Sequence, residues 1–295
     1  MNATIDIPGF RADALRKGYA GRPVLAGLDL CIPQGAVVGL LGANGAGKTT
    51  LLRILLGLLP SDGGRAYVLS ESAEHLSPEL RARIGYVPQS PSQFAWLTGN
   101  ALLKYLAAFY PRFDRAYARS LTERWQVSLG TPIGALSPGQ QQRLSIVRAL
   151  ASRPDLIVMD EPIAALDPAT RIEVIEELQR LRQERAITLL FSSHILGDLQ
   201  RLCTEFAVLA QGKIVESAPV SAFTELARLT LEGPEALLAT CDFSRCRRAR
   251  KSREGQRLAL LSLRDIQAWR ASLPSGVAIT LQESDLELVV SEWMR

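Results

Sequence analysis

Gly42-Ala43-Asn44-Gly45-Ala46-Gly47-Lys48-Thr49 is the stretch on which the reading of this chain turns. Gly35-Ala36-Val37-Val38-Gly39-Leu40-Leu41 runs into it as a buried strand would, and Thr50-Leu51-Leu52-Arg53-Ile54-Leu55-Leu56 leaves it as a helix would. Strand, glycine-rich turn and helix together form a phosphate-binding loop. Glycines 42, 45 and 47 let successive N–H groups curl inward, and the helix presents its positive end to the same anion. Ala43, Asn44 and Ala46 complete the cradle, and Thr50 opens the helix. Lys48 is expected on the β- and γ-phosphates and the Thr49 hydroxyl on Mg²⁺. The first implication is a P-loop NTPase that takes a nucleoside triphosphate with Mg²⁺.

The 295-residue chain is long enough for one large domain or for one domain with an appendage. Its richest apolar runs are short or broken by Arg53, so no segment reads as a bilayer span. The opening residues Met1 to Asp6 lack a positive start followed by an apolar block, and a cytosolic protein is expected. Cys31, Cys203, Cys241 and Cys246 fit neither a disulfide framework nor a common zinc spacing, and reduced thiols are expected. The net charge of +4 is concentrated: Arg245 to Arg253 carries six cations and no anion, and without them the balance would be −2. That run can be a solvated loop, an RNA contact or a neighbour of anionic lipid.

From Phe10 to about Ser217 strand and helix signals alternate. Val24 to Ile32, Ala66 to Leu69 and Leu80 to Val87 read as strands, as do Leu156 to Met159 and Thr188 to Phe191. Between about 90 and 150, apolar residues recur at helical spacing in Ala101–Tyr110, Arg115–Trp125 and Gln140–Ala151. The fold class is therefore α/β, a sheet core with a helical insertion. After Pro219 the pattern changes: Val220 to Leu231 reads as a short amphipathic helix, Arg257–Leu263 and Val277–Leu281 as strands, Asp265–Leu273 and Asp285–Trp293 as helices. The expected division is a cassette over 1–219 and a small α+β accessory region over 220–295.

Leu156-Ile157-Val158-Met159-Asp160-Glu161 is an apolar strand ending in two carboxylates. Strand ends are where a parallel sheet places its ligand groups, so Asp160 can face the metal and Glu161 the attacking water. Phosphoryl transfer needs neutralised charge and a positioned nucleophile; Lys48 suits the first task and Glu161, as base, the second. Further motifs follow in a telling order. Leu136-Ser137-Pro138-Gly139-Gln140-Gln141-Gln142-Arg143, Gln89 in Gly85-Tyr86-Val87-Pro88-Gln89, Ala165-Leu166-Asp167, and His194 after Phe191-Ser192-Ser193 resemble the signature, Q-loop, D-loop and switch histidine of the ATP-binding subunit of ABC transporters. Tyr19, 29 residues before Lys48, stands where that family stacks an aromatic ring on adenine.

The resemblance covers roughly Phe10 to Ser217. It implies a RecA-like core with an antiparallel β subdomain and a helical signature subdomain at about 90–150. It also implies catalytic roles for Glu161, His194, Lys48 and Gln89, and a metal shell of Thr49, Gln89 and Asp160. Ser137, Gly139, Gln140 and Asp167 would then act on nucleotide held by a partner cassette, because one chain cannot readily fold both phosphate-binding helix ends onto one ATP. The implied assembly is a homodimer or paired cassette sharing two sites. Pro138 departs from the commoner glycine, but proline at a helix start costs no hydrogen bond. The same Leu-Ser-Pro-Gly-Gln form is common in exporters, and the stretch Glu283 to Val290 resembles the acidic, leucine-rich ending of many exporter ATPases.

The expected role is to power translocation, in the export direction, by integral membrane permease subunits, with the cassette held at the inner face of the membrane. Phe94, Trp96 and Leu97 are candidate permease contacts or else core of the insertion. The alternative is a soluble ABC ATPase acting on nucleic acid or a protein assembly. The long coiled coil of repair members and the tandem cassettes of translation members are missing from this sequence, so nucleic acid is not expected as a partner.

Overall fold

The computed structural model describes residues 7–91, 94–193, 196–252, 255–282 and 286–294. The chain divides into two compact units, Met1–Val215 and Glu216–Arg295.

In the first unit, β1 (Phe10–Tyr19) and β2 (Arg22–Ile32) form a hairpin, and β3 (Val37–Leu41) leads through the glycine turn into α1 (Lys48–Leu55). Next come β4 (Gly63–Val68), β5 (Glu71–Ser72), the short α2 (Pro78–Arg81) and β6 (Ile84–Val87). The helical insertion holds α3 (Gly99–Phe109), α4 (Arg115–Arg124) and α5 (Pro138–Ala151). The chain returns with β7 (Leu156–Asp160), α6 (Pro168–Glu184), β8 (Thr188–Ser192), α7 (Leu196–Leu202) and β9 (Glu205–Ala210), and β10 (Lys213–Pro219) begins in this unit and ends in the next.

Two sheets result. β2-β1-β4-β5 is antiparallel, and β10-β9-β3-β8-β7-β6 carries parallel pairing from β9 to β6. The central strands are buried on both faces, which is why β3, β7 and β8 read as unbroken runs rather than alternating ones. One apolar cluster joins the sheets: Phe10, Leu28 and Ile32 from the first, Leu40, Val158 and Leu190 from the second, with Leu51, Leu52 and Leu55 of α1 between. The glycine turn is thereby pinned between two rigid layers.

In the second unit, α8 (Val220–Thr224) precedes β11 (Leu226–Glu232), α9 (Glu235–Thr240), β12 (Arg248–Lys251), β13 (Arg257–Ser262), α10 (Ile266–Ala271), β14 (Ala278–Gln282) and α11 (Leu286–Met294). The antiparallel order β12-β13-β11-β14 makes β11 to β14 a split βαβ, ferredoxin-like arrangement. Leu229, Leu231, Ala259 and Leu261 of one sheet face pack with Leu238 and Trp269 of the two crossover helices and with Cys241 just after α9. On the other face α11 sends Glu292, 2% exposed, between Arg228 and Arg250.

Three sequence expectations are corrected here. The helix expected over Val220–Leu231 ends at Thr224, and Leu226–Glu232 is a strand whose leucines 229 and 231 face the core with period two. Part of the basic run, Arg248–Lys251, is a strand with alternating burial rather than a loop. Leu80 to Val87 also splits, into the end of α2 and β6.

Candidate functional site

The loop between β3 and α1 is shaped by glycine in two ways. Gly47 caps α1 in the left-handed region at φ 105°, and a Cβ there would stand 2.9 Å from Val24 Cγ1. A Cβ on Gly42 would come 2.7 Å from the Leu209 carbonyl oxygen. Any side chain at either position would push the loop out of register. Lys48, only 8% exposed, donates from Nζ to the Gly42 carbonyl at 2.7 Å and to that of Ala43 at 3.3 Å. No side chain caps the start of α1 and no acidic residue occupies its first turn, so the positive end of the helix faces the loop uncompensated.

The neighbouring strands supply the acids. β7 and β8 run in register with Asp160 opposite Ser192. Asp160, 1% exposed, accepts from Thr49 Oγ1 at 2.6 Å and from Ser192 Oγ at 2.7 Å, one hydroxyl on each carboxylate oxygen. Glu161 leaves the strand at φ 47°, a left-handed conformation uncommon outside glycine. Its N–H is shared between the Ser192 carbonyl at 3.1 Å and the Ser192 hydroxyl at 3.0 Å. The turn brings Glu161 Oε1 to 3.8 Å from Lys48 Nζ, two opposite charges each 8% exposed. Ser192 thus holds both the carboxylate of Asp160 and the backbone that aims Glu161.

Asn44, Gly45, Gly47, Lys48, Thr49, Thr50, Gln89, Asp160 and Glu161 line one open cavity of about 310 Å³, joined by Val24. That volume is ordinary for a small-ligand site. Of the other loop residues, Gly42 is buried, Ala46 packs against the core cluster and Ala43 is exposed. Thr49 and Asp160 form an oxygen-only donor pair at its floor, which suits a hard cation such as Mg²⁺ that keeps most of its ligands from water and phosphate. The exposed Gln89 follows β6 and lines the same space.

A second cluster of the expected residues stands apart from this cavity. Ser137 caps α5, accepting from Gln140 N at 3.3 Å, with Pro138 as the first helical residue. Asp167 caps α6, accepting from Thr170 N at 3.0 Å and Thr170 Oγ1 at 2.8 Å, and takes a further hydrogen bond from Arg143 of α5. Hydrogen bonds from Thr170 and then the Arg143 guanidinium pull its carboxyl down to about 2. Gly139 sits so close that a Cβ would be 3.2 Å from the Ala165 carbonyl oxygen. The start of α5 is therefore tied to the turn before α6. Tyr19, 48% exposed at the end of β1, lies outside the P-loop cavity and has Lys17 Nζ 5.9 Å from its ring centre. His194 falls outside the described residues; Ser193 before it is buried.

Three roles escape a reading of motifs, those of Ser192, Val24 and Arg143, although Ser192 and Arg143 lie inside quoted stretches. A serine closing a strand with an apolar centre, Leu189 to Phe191, is a signal that could have found the first. The contacts of Val24 with the loop cavity and of Arg143 with Asp167 leave no signal, because they join elements apart in sequence.

A sheet of parallel strands with phosphate loop, acidic strand end and separate signature helix defines an ABC-type ATPase. Residues 25–164 match the family model described as ABC transporter. Similar curated proteins include the Nod factor export ATP-binding protein I of Paraburkholderia xenovorans, 35% identical over 213 residues and 70% of each chain. The ABC transporter ATP-binding protein YtrB of Bacillus subtilis is 33% identical over 68% of each chain. The molybdenum import ATP-binding protein ModC of Rhizobium etli is 36% identical over 63% of this chain and 55% of that one. A dimeric bacterial ABC transporter cassette superposes with a TM-score of 0.64 at 25% identity, covering 72% of this chain and 98% of that one. The chain belongs to the ABC transporter family, as an ATP-binding cassette that hydrolyses ATP. Among the described residues no helix is long and apolar enough to cross a membrane.

Proposed function

We propose that this chain is the ATPase subunit of an export system, working as a pair of cassettes that close over two ATP molecules and drive separate permease subunits at the inner face of the membrane. The observation that carries the reading is the hydrogen-bonded set Thr49, Asp160, Ser192 and Glu161 facing Lys48. Lys48 would turn from the loop carbonyls to the terminal phosphates. Glu161, aimed by its own strained backbone, would take the proton of the attacking water. Mg²⁺, held by Thr49, Asp160 and Gln89, would neutralise phosphate charge. His194 and Gln89 would complete the γ-phosphate contacts, and Tyr19 would stack on the adenine.

The exposed Ser137 end of α5, anchored through Arg143 and Asp167, would reach the nucleotide of a second copy, as befits a family with a dimeric cassette among its solved relatives. The export direction draws its support from the Nod factor export relatives, which align over about 70% of both chains, whereas the import relative aligns over a smaller share. Trp96, 77% exposed with Phe94 beside it and Tyr105 on Phe94 in turn, offers the permease an aromatic contact.

The test is Glu161→Gln with ATP and Mg²⁺. The variant should lose hydrolysis by at least a hundredfold and run as a dimer in sedimentation velocity. A variant that hydrolyses at the parent rate, or stays monomeric with saturating ATP, rejects the scheme. Isolation of the chain from native membranes should bring a polytopic protein with it.

A further inference from the structure

The four-stranded sheet of the second unit has two edges, and they differ in kind. β12 carries Arg248, Arg250 and Lys251 in four residues, the charge that keeps an edge from pairing with another chain. β14, Ala278-Ile279-Thr280-Leu281-Gln282, carries no charge, no proline and no glycine, and four of its five residues are exposed. Among the described residues it pairs on one side with β11 over its whole length, Arg228↔Gln282 to Glu232↔Ala278, and with nothing on the other. A row of backbone N–H and C=O groups about 17 Å long is thus left open along an uncharged strand. Such a row is a template for pairing.

We infer that β14 is a self-association edge: two copies of this chain pair β14 with β14 antiparallel about a two-fold axis through Thr280, joining two four-stranded sheets into one of eight. An antiparallel pair of identical strands is self-complementary, since each donor finds the acceptor of its mate. Charge favours this partner over the other edge. β14 against β14 sets neutral side chains opposite one another, whereas β12 against β12 would set cations against cations. The area available to five residues is well short of what a stable dimer buries, so the contact is weak and reversible by itself. It needs no nucleotide, and so is separable from the ATP-dependent pairing of cassettes proposed above.

The experiment uses the full chain without nucleotide, and the Lys48→Ala variant so that bound ATP cannot contribute. Sedimentation equilibrium should show a concentration-dependent dimer in both. Hydrogen exchange at 278–282 should slow as protein concentration rises. Thr280→Lys should weaken the dimer at least tenfold, Leu281→Lys should do the same from the opposite sheet face, and Thr280→Val should leave it intact. Circular dichroism and ATPase rate per chain identify any lysine variant that fails to fold, in which case the exchange data on the unmodified chain decide. A strict monomer at high concentration overturns the inference, as does exchange at 278–282 that ignores concentration, or a dimer indifferent to both lysines. Failure here leaves the ATP-induced dimer of Glu161→Gln untouched, and the reverse also holds.

Discussion

Ser192 shows how much of this site rests on a group to which the motifs assign no role. One hydroxyl donates to Asp160 Oδ1 and accepts from Glu161 N, both in a buried setting. Ser192→Ala strips the carboxylate of one of its two hydroxyl partners and leaves the Glu161 N–H with the carbonyl alone. Steady-state ATPase assays should find kcat reduced about tenfold, equivalent to ~1.4 kcal/mol of lost transition-state stabilisation, with Ser192→Thr recovering much of it. An unchanged kcat would mean that the φ of Glu161 is held by the turn itself. The same reasoning explains why the motif residues were legible. Glycine at 42 and 47 answers to collisions with Leu209 and Val24, and lysine, threonine and paired acids answer to phosphate and metal chemistry. Chemistry restricted to a few residue types writes itself into the sequence, whereas a serine that props up that chemistry looks like any other serine.

The helical insertion is joined to the sheet core by a buried acid. Glu177 of α6, with a fully buried side chain, accepts from the Tyr117 hydroxyl of α4 and pairs with Arg124 of α4 and Arg180 of its own helix. Burial alone would raise its carboxyl; the hydrogen bonds from Arg180, Tyr117 and Arg124 outweigh it and hold the group below the usual range. The tyrosine is pushed up, first by burial and then by its carboxylate partner. Tyr117→Phe leaves that carboxylate short of a partner it cannot replace with water, and should cost about 1–3 kcal/mol in urea unfolding. Glu184→Ala, which breaks only the exposed pair with Arg180, should cost less than about 1 kcal/mol. Equal losses would show that Glu177 is more solvated than its burial implies. None of this is readable from the chain. Helical spacing placed α3, α4 and α5 within two residues of where they lie, but the pairing of Tyr117 with Glu177 spans 60 residues and follows no period. β11 departs from its sequence expectation for a related reason: Leu226 to Glu232 is too short for its alternation to outweigh the helical pattern upstream.

Acid should find the links between these parts before it finds their cores. Asp167 is lowered by Thr170 and then Arg143, and Asp114 by the Tyr117 N–H and then Arg153. Asp155 would be raised by burial but is carried below its ordinary value by Arg112 and Arg83. Each binds its proton less readily folded than unfolded. Their stabilising contribution is therefore complete above the unfolded pKa of about 4 and is lost as pH falls towards about 2, the value for Asp167. Thermal melts across that interval should show Tm falling steadily, with a shallower slope in Asp167→Asn; a flat Tm would contradict the assignments. A different kind of constraint lies in β10. The strand begins in the first unit and ends in the second, with exposure alternating at every residue from Lys213 to Pro219 and Ile214 packed on the core. A module grafted after Val215 must keep that parity in its own strand: one residue added or dropped ahead of Glu216 would turn the half-buried Glu216 and Ala218 onto the exposed face, and a chimera built without counting would misplace both.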